Sequence, residues 1–401
     1  MPHMSQHRPR LIAAGVAALS VAVSLLVAPG VAAAPEAAEP AAPDVAAAAT
    51  SASSAVSASS AVSAGAAQAA ACGDGADSLV TGSQSSGFTT TYRGRTVYQG
   101  PYYITAIWEG IGALTPGRTS QEKVSVMASA WIGNNTIDLP SNTAFEVCGT
   151  MDVGNVSGRG AVQAVGVRNV SIPTMNMTGA PYFGMRFADV HGLHLGQINL
   201  RMSGGLGIRF ERDLPGSTDV RMDNVYVSGT GNHGVETWNV DGLRIGTITA
   251  RNVAYAGLLL NNTRNATIGT VDGENVATGT GYATFRMANT NGPGITVDRV
   301  RSRGGGRGVF CVSNSRGARI NTVDLANNGN NSILIENCSD ITIGGGTVNG
   351  GGEVRLAARS EFPNNRNINI TLRVDNTSVR ESPCGENTNW YLSGNGSRNI
   401  C

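Results

Sequence analysis

The segments FGMRFADV (residues 183–190) and LGIRFERD (residues 206–213) follow one pattern, in which a small residue precedes an apolar anchor. Copies of the pattern recur at intervals of 21 to 27 residues. A second short run of alternating apolar residues, such as LHLGQINL (residues 193–200), follows each copy. The anchors are Met185, Ile208, Val235, Leu258, Phe285, Val309, Ile333 and Val354.

This repeat predicts an all-β fold. Each copy holds two or three short strands separated by Gly, Asn and Asp, with no helical periodicity between them, which excludes a βαβ array. A single strand cannot bury its apolar face, whereas stacked coils form a continuous core. We therefore predict a right-handed single-stranded parallel β-helix. The many Asn residues, including Asn155, Asn265 and Asn337 in N-x-S/T sequences, suit left-handed turn positions and stacked ladders better than glycan attachment.

A short helix is predicted before the coils. In YYITAIWEGIGALT (residues 102–115) the residues Ile104, Ile107, Ile111 and Leu114 are spaced three or four apart, as on one face of a helix. Such a helix would cap the first coil and shield its open edge. The following run, residues 123–153, is predicted to supply the first strands.

The composition excludes several classes of protein. The chain has 401 residues, 53 Gly and only 14% charged residues, against about 25% charged in an average chain. Its 41% hydrophobic content is not that of a disordered tail, and a net charge of +1 gives no reason to expect nucleic acid as a partner. Lys123 is the only lysine, so a lysine-dependent mechanism is nearly excluded.

The N-terminal end is typical of an exported protein. Arg8 and Arg10 precede an apolar stretch that runs to the small residues VAAA at 31–34, the order found in a secretory signal peptide. A membrane anchor is the alternative, because the apolar run approaches a spanning length. We expect cleavage after a signal peptide of residues 1–34, an Ala/Ser/Pro-rich linker or pro-segment at 35–71, and a secreted β-helix catalytic domain at 72–401 with no membrane attachment.

The six cysteines all follow the linker. An even number in an exported chain indicates disulfides rather than metal thiolates. Spacing suggests that Cys384 pairs with Cys401 and Cys311 with Cys338, which lie about one repeat apart. Elimination leaves Cys72 with Cys148.

The predicted helix, the coil pattern and the positions of Cys148, Cys311 and Cys338 resemble the secreted pectate-lyase-like (pectin lyase fold) β-helix proteins of actinomycetes and filamentous fungi. The resemblance covers about residues 85–401 and implies action on a polysaccharide. The hydrolase branch of that superfamily carries N-T-D, D-D, G-H-G and R-I-K motifs. Only G-H-G has a partial match here, at Asn232-His233-Gly234. The aspartate cluster of one lyase branch and the lysine base of another have no counterpart.

Strand alternation places a set of polar and aromatic side chains on the outside of one sheet. Carboxylates, arginines, a histidine and flat rings are what a sugar-binding cleft needs, because rings stack on sugars and Arg donates bidentate hydrogen bonds. Arg–Glu pairing on a solvated face is the structural alternative. The set comprises Arg186, Arg209, Glu211, His233, Glu236, Trp238, Tyr255, Asn261, Tyr282 and Arg286.

Glu211 and Glu236 are the acids of the early and middle part of this face. Their β-carbons are expected about 8 Å apart, because one coil spacing and two residues along the strand separate them. Carboxyl groups about 6.5–9.5 Å apart suit an inverting glycoside hydrolase, in which one protonates the leaving oxygen and the other activates water. The assignment of the two roles stays open, and His233 either tunes one carboxyl or is a structural turn residue. Asp213, Asp223 and Asp241 are possible substitutes but fit turn caps better.

Two other functions remain open. A polysaccharide lyase acting on a uronate polymer would neutralise the carboxylate with Arg209 or Arg286 and take the proton with His233 or Tyr282, because arginine is a poor base. A non-catalytic glycan-binding solenoid is the second alternative. No motif requires a cofactor, and the acids are too sparse to favour a calcium site. The polysaccharide, endo or exo action and the oligomeric state stay undetermined.

Overall fold

The structure, a computed structural model, describes residues 71–279 and 281–401. The predicted signal peptide and residues 35–70 of the predicted linker lie outside these ranges. Within them the elements are, in chain order, β1 (Ser78–Ser83), β2 (Gly87–Tyr92), β3 (Arg95–Gly100), α1 (Tyr103–Gly112), β4 (Glu122–Val126), β5 (Ala130–Trp131), β6 (Ile137–Asp138), β7 (Thr143–Val147), β8 (Met151–Val153), β9 (Gly160–Gly179), β10 (Phe183–Met202), β11 (Leu206–Phe210), β12 (Ser217–Ser228), β13 (Val235–Trp238), β14 (Val240–Val253), β15 (Leu258–Asn261), β16 (Arg264–Val276), β17 (Ala283–Ala288), β18 (Ile295–Arg303), β19 (Arg307–Cys311), β20 (Arg316–Asn328), β21 (Ile333–Glu336), β22 (Ser339–Ile343), β23 (Gly346–Gly351), β24 (Val354–Ala357), β25 (Arg366–Asp375), β26 (Ser378–Glu381), β27 (Glu386–Ser393) and β28 (Ser397–Asn399).

The strands form a parallel β-solenoid of about 12 turns, as the repeat predicts. Each coil pairs in parallel with the coils before and after it; β10, for example, lies between β9 and both β11 and β12. The predicted anchors are buried and form one column through the core, in which Met185 pairs with Ile208 and Ile208 with Val235. Burying each such side chain stabilises the fold by about 1.5–3 kcal/mol. The handedness of the coil stays a prediction.

Three ladders of paired strands run along the solenoid. The first ladder contains the anchors and is made of β6, the starts of β9 and β10, and then β11, β13, β15, β17, β19, β21, β24, β26 and β28. The second ladder includes residues 190–195 of β10, and the third ladder includes residues 197–202. The candidate site lies on the outside of the first ladder.

Close stacking of coils explains the small residue before most of the anchors. A β-carbon placed on Gly207 would lie 2.3 Å from the carbonyl oxygen of Gly234 in the next coil and 3.0 Å from a methyl group of Val227. Both distances are below normal van der Waals contact. Glycine is therefore required at this position by lack of space inside the corner of the coil.

Asparagines occupy left-handed turn positions and stack between coils, as expected. Asn142 and Asn169 have φ angles of 57° and 54°, and Asn239 and Asn262 have 56° and 41°. Asn169 Nδ2 donates to Asn142 Oδ1, and Asn262 Nδ2 donates to Asn239 Oδ1, each at 2.7 Å. Asn tolerates this backbone conformation, and its side-chain amide links neighbouring coils.

The N-terminal end differs from the prediction. The expectation that residues 123–153 supply the first strands is wrong, because β1, β2 and β3 precede them as an antiparallel meander, and β1 pairs with β4. The predicted helix is present as α1 and packs on this end, where the Tyr103 hydroxyl donates to the Ala128 carbonyl at 3.0 Å. The edge of β4 is thus covered by a strand, and the helix closes the core beside it.

All three suggested disulfides are present: Cys72–Cys148, Cys311–Cys338 and Cys384–Cys401. One disulfide lies at the N-terminal end of the described residues, one in the middle of the solenoid and one at its C-terminal end. Among the described residues, no helix is long and apolar enough to cross a membrane.

Candidate functional site

The outer face of the first ladder presents a row of side chains one place after the anchors. We call it the outer row. In coil order it is Asp138, Gln163, Arg186, Arg209, Glu236, Leu259, Arg286, Phe310, Leu334 and Arg355.

Two arginines and two glutamates form one connected charge network on this face. Arg186 Nε donates to Glu211 Oε1 at 2.7 Å. Arg209 Nε lies 3.6 Å from Glu211 Oε2, and Arg209 Nη1 donates to Glu236 Oε2. No side chain of the four is more than 17% exposed, so salt screens the network less than an open surface pair. A single guanidinium therefore links the two carboxylates predicted to be catalytic.

Glu236 is the most strongly held of these groups. Its Oε1 accepts hydrogen bonds from Trp238 Nε1 at 2.7 Å and from Asn261 Nδ2 at 3.4 Å, while Oε2 accepts from Arg209. Asn289 Nδ2 in turn donates to Asn261 Oδ1 at 2.9 Å. Acceptance on both oxygens is the pattern of an ionised carboxylate, which has no donor of its own. Trp238 and Asn261, predicted to bind substrate, orient Glu236 in this structure.

The network continues toward the N-terminal end through residues that the sequence analysis missed. Arg186 Nη1 donates to Gln163 Oε1 at 3.3 Å, Gln163 Nε2 donates to Asp138 Oδ1 at 2.6 Å, and Arg159 Nη2 donates to Asp138 Oδ2 at 2.9 Å. Asp138 and Gln163 occupy the place after an inward residue, like the later members of the outer row. Counting the repeat two coils further back would have found them.

A second group of side chains, made up of aromatic rings, lies beside the outer row. The rings of Tyr255 and Tyr282 stack with centroids 4.7 Å apart, and the His233 ring lies edge-on to Tyr282 at 4.8 Å. The Arg286 guanidinium is 4.6 Å from the Tyr282 ring centroid, within cation–π distance. These four predicted site residues are thus brought together, but largely by packing on one another.

His233 is buried and has a defined proton position. Its Nδ1 accepts a hydrogen bond from the Ala256 backbone N–H at 3.0 Å, and its own backbone N–H donates to Asn232 Oδ1 at 2.8 Å. A neutral imidazole that accepts on Nδ1 carries its proton on Nε2. In this state Nε2 is a donor rather than a base.

Beyond Glu236 apolar side chains interrupt the outer row, which there contains only the polar residues Arg286 and Arg355. Leu259, Phe310 and Leu334 are each less than 7% exposed and belong to a hydrophobic cluster separate from the core. The Phe310 ring has the guanidinium groups of Arg286 and Arg307 at 4.8 and 4.9 Å from its centroid. The continuous polar part of the row therefore runs from Asp138 to Glu236.

The three substitute aspartates form ion pairs away from the outer row. A hydrogen bond from Arg212 lowers the pKa of Asp213. Burial raises the pKa of Asp223, but hydrogen bonds from His194 and Arg221 outweigh it, and the net shift is downward. Asp241 pairs with Arg264 at 2.9 Å on the second ladder.

Lys123 lies on the second ladder and serves a structural purpose. Its Nζ is 3.2 Å from Glu146 Oε1, which also accepts from Ser125 Oγ at 2.6 Å and from the Gly73 N–H at 2.9 Å. Among the described residues, one group has the make-up of a metal site, namely Cys72, Glu146 and Cys148. Its two sulfur atoms are joined to each other, so it offers no thiolate ligands.

A cavity of about 440 Å³ lies at a different corner, near the Cys384–Cys401 disulfide. Asn337 and Asn365 line it, and their side-chain amides donate to backbone carbonyls, as from Asn365 to Ala357 at 2.8 Å. Those amides stabilise the turn and are not available to a ligand.

No protein-family model, curated protein or solved structure matches this chain. The fold and the site define it as a disulfide-linked parallel β-solenoid with a carboxylate–arginine network on one face.

Proposed function

We propose that this protein is an exported polysaccharide-cleaving enzyme, a glycoside hydrolase, that binds its substrate along the outer row. The observation that supports the proposal most directly is the pairing of Glu211 and Glu236 through Arg209 on a solenoid face flanked by aromatic rings. A parallel β-solenoid offers an elongated face of the length that a polymer needs.

The hydrogen bonds favour one division of roles. Glu236, held by Trp238, Asn261 and Arg209, is in the ionised form that activates water. Glu211 then serves as the acid by elimination, since its salt bridges to Arg186 and Arg209 at 2.7 and 3.6 Å favour its ionised form in the free protein. Protonation of Glu211 requires that Arg186 leave it for a substrate oxygen.

The position of Arg209 constrains this mechanism. An inverting hydrolase holds a water between its carboxyl groups, yet here a guanidinium contacts both carboxylates. The attacking water must therefore approach Glu236 from the solvent side of Arg209. Arg209 would then stabilise Glu236 and bind substrate hydroxyl groups.

Product analysis tests the proposal. The secreted protein is incubated with polygalacturonate, arabinan, xylan, β-1,3-glucan and dextran, and we expect new reducing ends without ultraviolet absorbance from one of them. Glu236→Gln and Glu211→Gln should each lower kcat by about 10²–10⁴-fold. Glu274→Gln, an exposed glutamate on the third ladder, is the matched control and should retain full activity. Full activity of Glu236→Gln overturns the proposal.

A lyase is the second candidate, and the Tyr282–Arg286 contact of 4.6 Å favours it. In this reaction Tyr282 would take the proton, with Arg286 beside it, because Nε2 of His233 already carries a proton. The lyase predicts unsaturated products that absorb in the ultraviolet, and their loss in Tyr282→Phe. If the protein binds a polysaccharide but releases neither new reducing ends nor unsaturated products, it is instead a glycan-binding solenoid.

A further inference from the structure

We infer that Asn289 is a positioning residue for Glu236, the proposed base, and that it acts through the side-chain amide of Asn261. The inference deepens the proposed function and rests on it, because Glu236 takes part in catalysis only if that proposal holds. Asn289 follows β17, which lies two coils after the strand of Glu236 on the first ladder. An effect of Asn289 on that carboxylate therefore has to pass through the coil between them.

Asn289 departs from the regular asparagine ladder at this corner of the solenoid. Three successive strands of the first ladder are followed by an asparagine with a left-handed backbone, namely Asn239, Asn262 and Asn289, with φ angles of 56°, 41° and 58°. Asn262 Nδ2 donates to Oδ1 of the preceding member, Asn239, at 2.7 Å. Asn289 Nδ2 instead donates to Oδ1 of Asn261, the neighbour of Asn262, at 2.9 Å. Its amide is thus directed at the side chain that contacts Glu236.

The orientation of the Asn261 amide matters because this amide has a donor at one end and an acceptor at the other. Arg209 and Trp238, the other hydrogen-bond partners of the Glu236 carboxylate, carry donors only. Asn261 Nδ2 donates to Glu236 Oε1 at 3.4 Å and to the Thr237 carbonyl at 3.3 Å. A reversed amide would place Oδ1 against the carboxylate and disfavour its ionised form.

Asn289 holds this amide from its acceptor end. Asn261 is 1% exposed, so its Oδ1 needs a donor from the protein. Asn289 Nδ2 is that donor, while the Thr237 carbonyl accepts from the other end of the amide. Without the Asn289 side chain, the present orientation leaves Oδ1 unsatisfied, and other orientations of the amide become more populated. The ionised form of Glu236 then loses part of its stabilisation.

Removing the Asn289 side chain changes none of the charges that face Glu236. The groups around this carboxylate are Arg209 of β11 with Glu211 and Arg212 directly after it, His233 on its own coil, and the uncharged Leu259 and Asn261 of β15. A change in the ionisation of Glu236 on removal of Asn289 is therefore assigned to the amide and not to a lost charge.

The acid limb of the pH profile of kcat/KM tests the inference, because it reports the ionisation of the base in the free enzyme. The substrate is whichever of the five polysaccharides the protein cleaves. Asn289→Gly removes the side chain at a φ of 58°, which glycine adopts without strain. We expect the limb to move to higher pH by about half a unit, a threefold change in the ratio of ionised to protonated base.

Asn262→Gly is the matched control. It removes the same side chain from the equivalent place in the preceding coil, where the amide donates to Asn239, and the acid limb should stay in place. The route is tested in an Asn261→Ala background, in which Asn289→Gly should cause no further shift. The inference is overturned if Asn289→Gly leaves the limb in place, or if the shift is as large without the Asn261 amide.

A measurement without substrate separates this inference from the proposed function. In protein labelled with carbon-13 at the glutamate carboxyl groups, the Glu236 signal is the one missing from Glu236→Gln. The midpoint of its titration should rise in Asn289→Gly and stay unchanged in Asn262→Gly. Such a rise in a protein that cleaves none of the five polysaccharides overturns the proposed function but supports the action of Asn289 on Glu236. An unchanged midpoint overturns the inference, even in an active enzyme.

Discussion

Arg209 contacts both Glu211 and Glu236, which lie on neighbouring coils of the solenoid. Its Nε is 3.6 Å from Glu211 Oε2, and its Nη1 donates to Glu236 Oε2. One positive charge thus compensates two partly buried negative charges, with Arg186 neutralising the other side of Glu211. The stability of this face and the chemistry proposed for it both depend on the same guanidinium.

Replacing Arg209 should therefore destabilise the protein. Arg209→Met leaves Glu236, only 7% exposed, without its ionic partner, and we expect the free energy of unfolding to fall by about 3 kcal/mol. Urea denaturation measures this change. Arg244→Met, at an exposed position of the second ladder, is the control and should cost less than about 0.5 kcal/mol.

A double variant identifies the cause of that loss. Adding Glu236→Gln to Arg209→Met removes the unpaired charge, so the combined cost should be at least about 1 kcal/mol smaller than the sum of the two single costs. Additive costs would show that the pair does not interact.

Lys123→Met should weaken the N-terminal attachment without affecting catalysis. Glu146 is 4% exposed and pairs with Lys123 at 3.2 Å, so removal of the lysine should cost about 3 kcal/mol. Because Lys123 lies on the second ladder, the cleavage rate per folded molecule should not change. A large drop in kcat of fully folded Lys123→Met would contradict a purely structural role for this lysine.

Gly207→Ala tests the explanation for the small residue before most of the anchors. The new methyl group would lie 2.3 Å from the Gly234 carbonyl oxygen, and we expect a loss of about 2 kcal/mol or more. Gly112→Ala, at the end of α1, is the matched control. A methyl group there would have no atom within 4 Å, so this change should be neutral or slightly stabilising. Thermal unfolding of both variants provides the comparison.

The stability of the third ladder should depend on pH through Asp272. Burial raises its pKa, but hydrogen bonds from Arg251 at 2.7 Å and Arg301 at 2.9 Å outweigh it, so the net shift is downward. A lowered pKa in the folded state means that the stabilisation is present above about pH 4 and is lost as the pH falls through the folded value.

Asp272→Asn should therefore lose less stability than the wild type between about pH 5 and pH 3. Urea denaturation across this range measures the difference. Asp298→Asn, at an exposed position, serves as the control for a generic loss of charge. The same pH dependence in the wild type and Asp272→Asn would refute the role of this carboxylate.

Much of the fold was predictable because it is periodic. Met185, Ile208 and Val235 recur at nearly constant spacing, and only parallel stacking of coils buries such a series together. Strands β1, β2 and β3 were missed because they pair locally as an antiparallel meander and carry no copy of the repeat. Spacing predicted the pairs Cys311–Cys338 and Cys384–Cys401, and elimination left Cys72 with Cys148.

The site was predictable only in part. Strand alternation placed Arg186, Arg209 and Glu236 on one outer row, because the apolar anchors fix the register and each next residue points to the opposite face. That Trp238 donates to Glu236, and that Arg209 contacts two carboxylates at once, depends on side-chain rotamers and on how neighbours crowd each other. Sequence spacing carries no information on either.

The order of residues along the chain was enough to specify the coil, its anchors, the asparagine turns and the disulfide pairs, since each follows from a period or a count. Which outward groups are held by their neighbours, and which remain exposed, depends on the packing of one coil against the next. Tyr255 and Tyr282 stack on each other, whereas Tyr182 is 44% exposed. The three tyrosines occupy equivalent places in the repeat, and the side chains of the neighbouring coils on either side distinguish a packed ring from an exposed one.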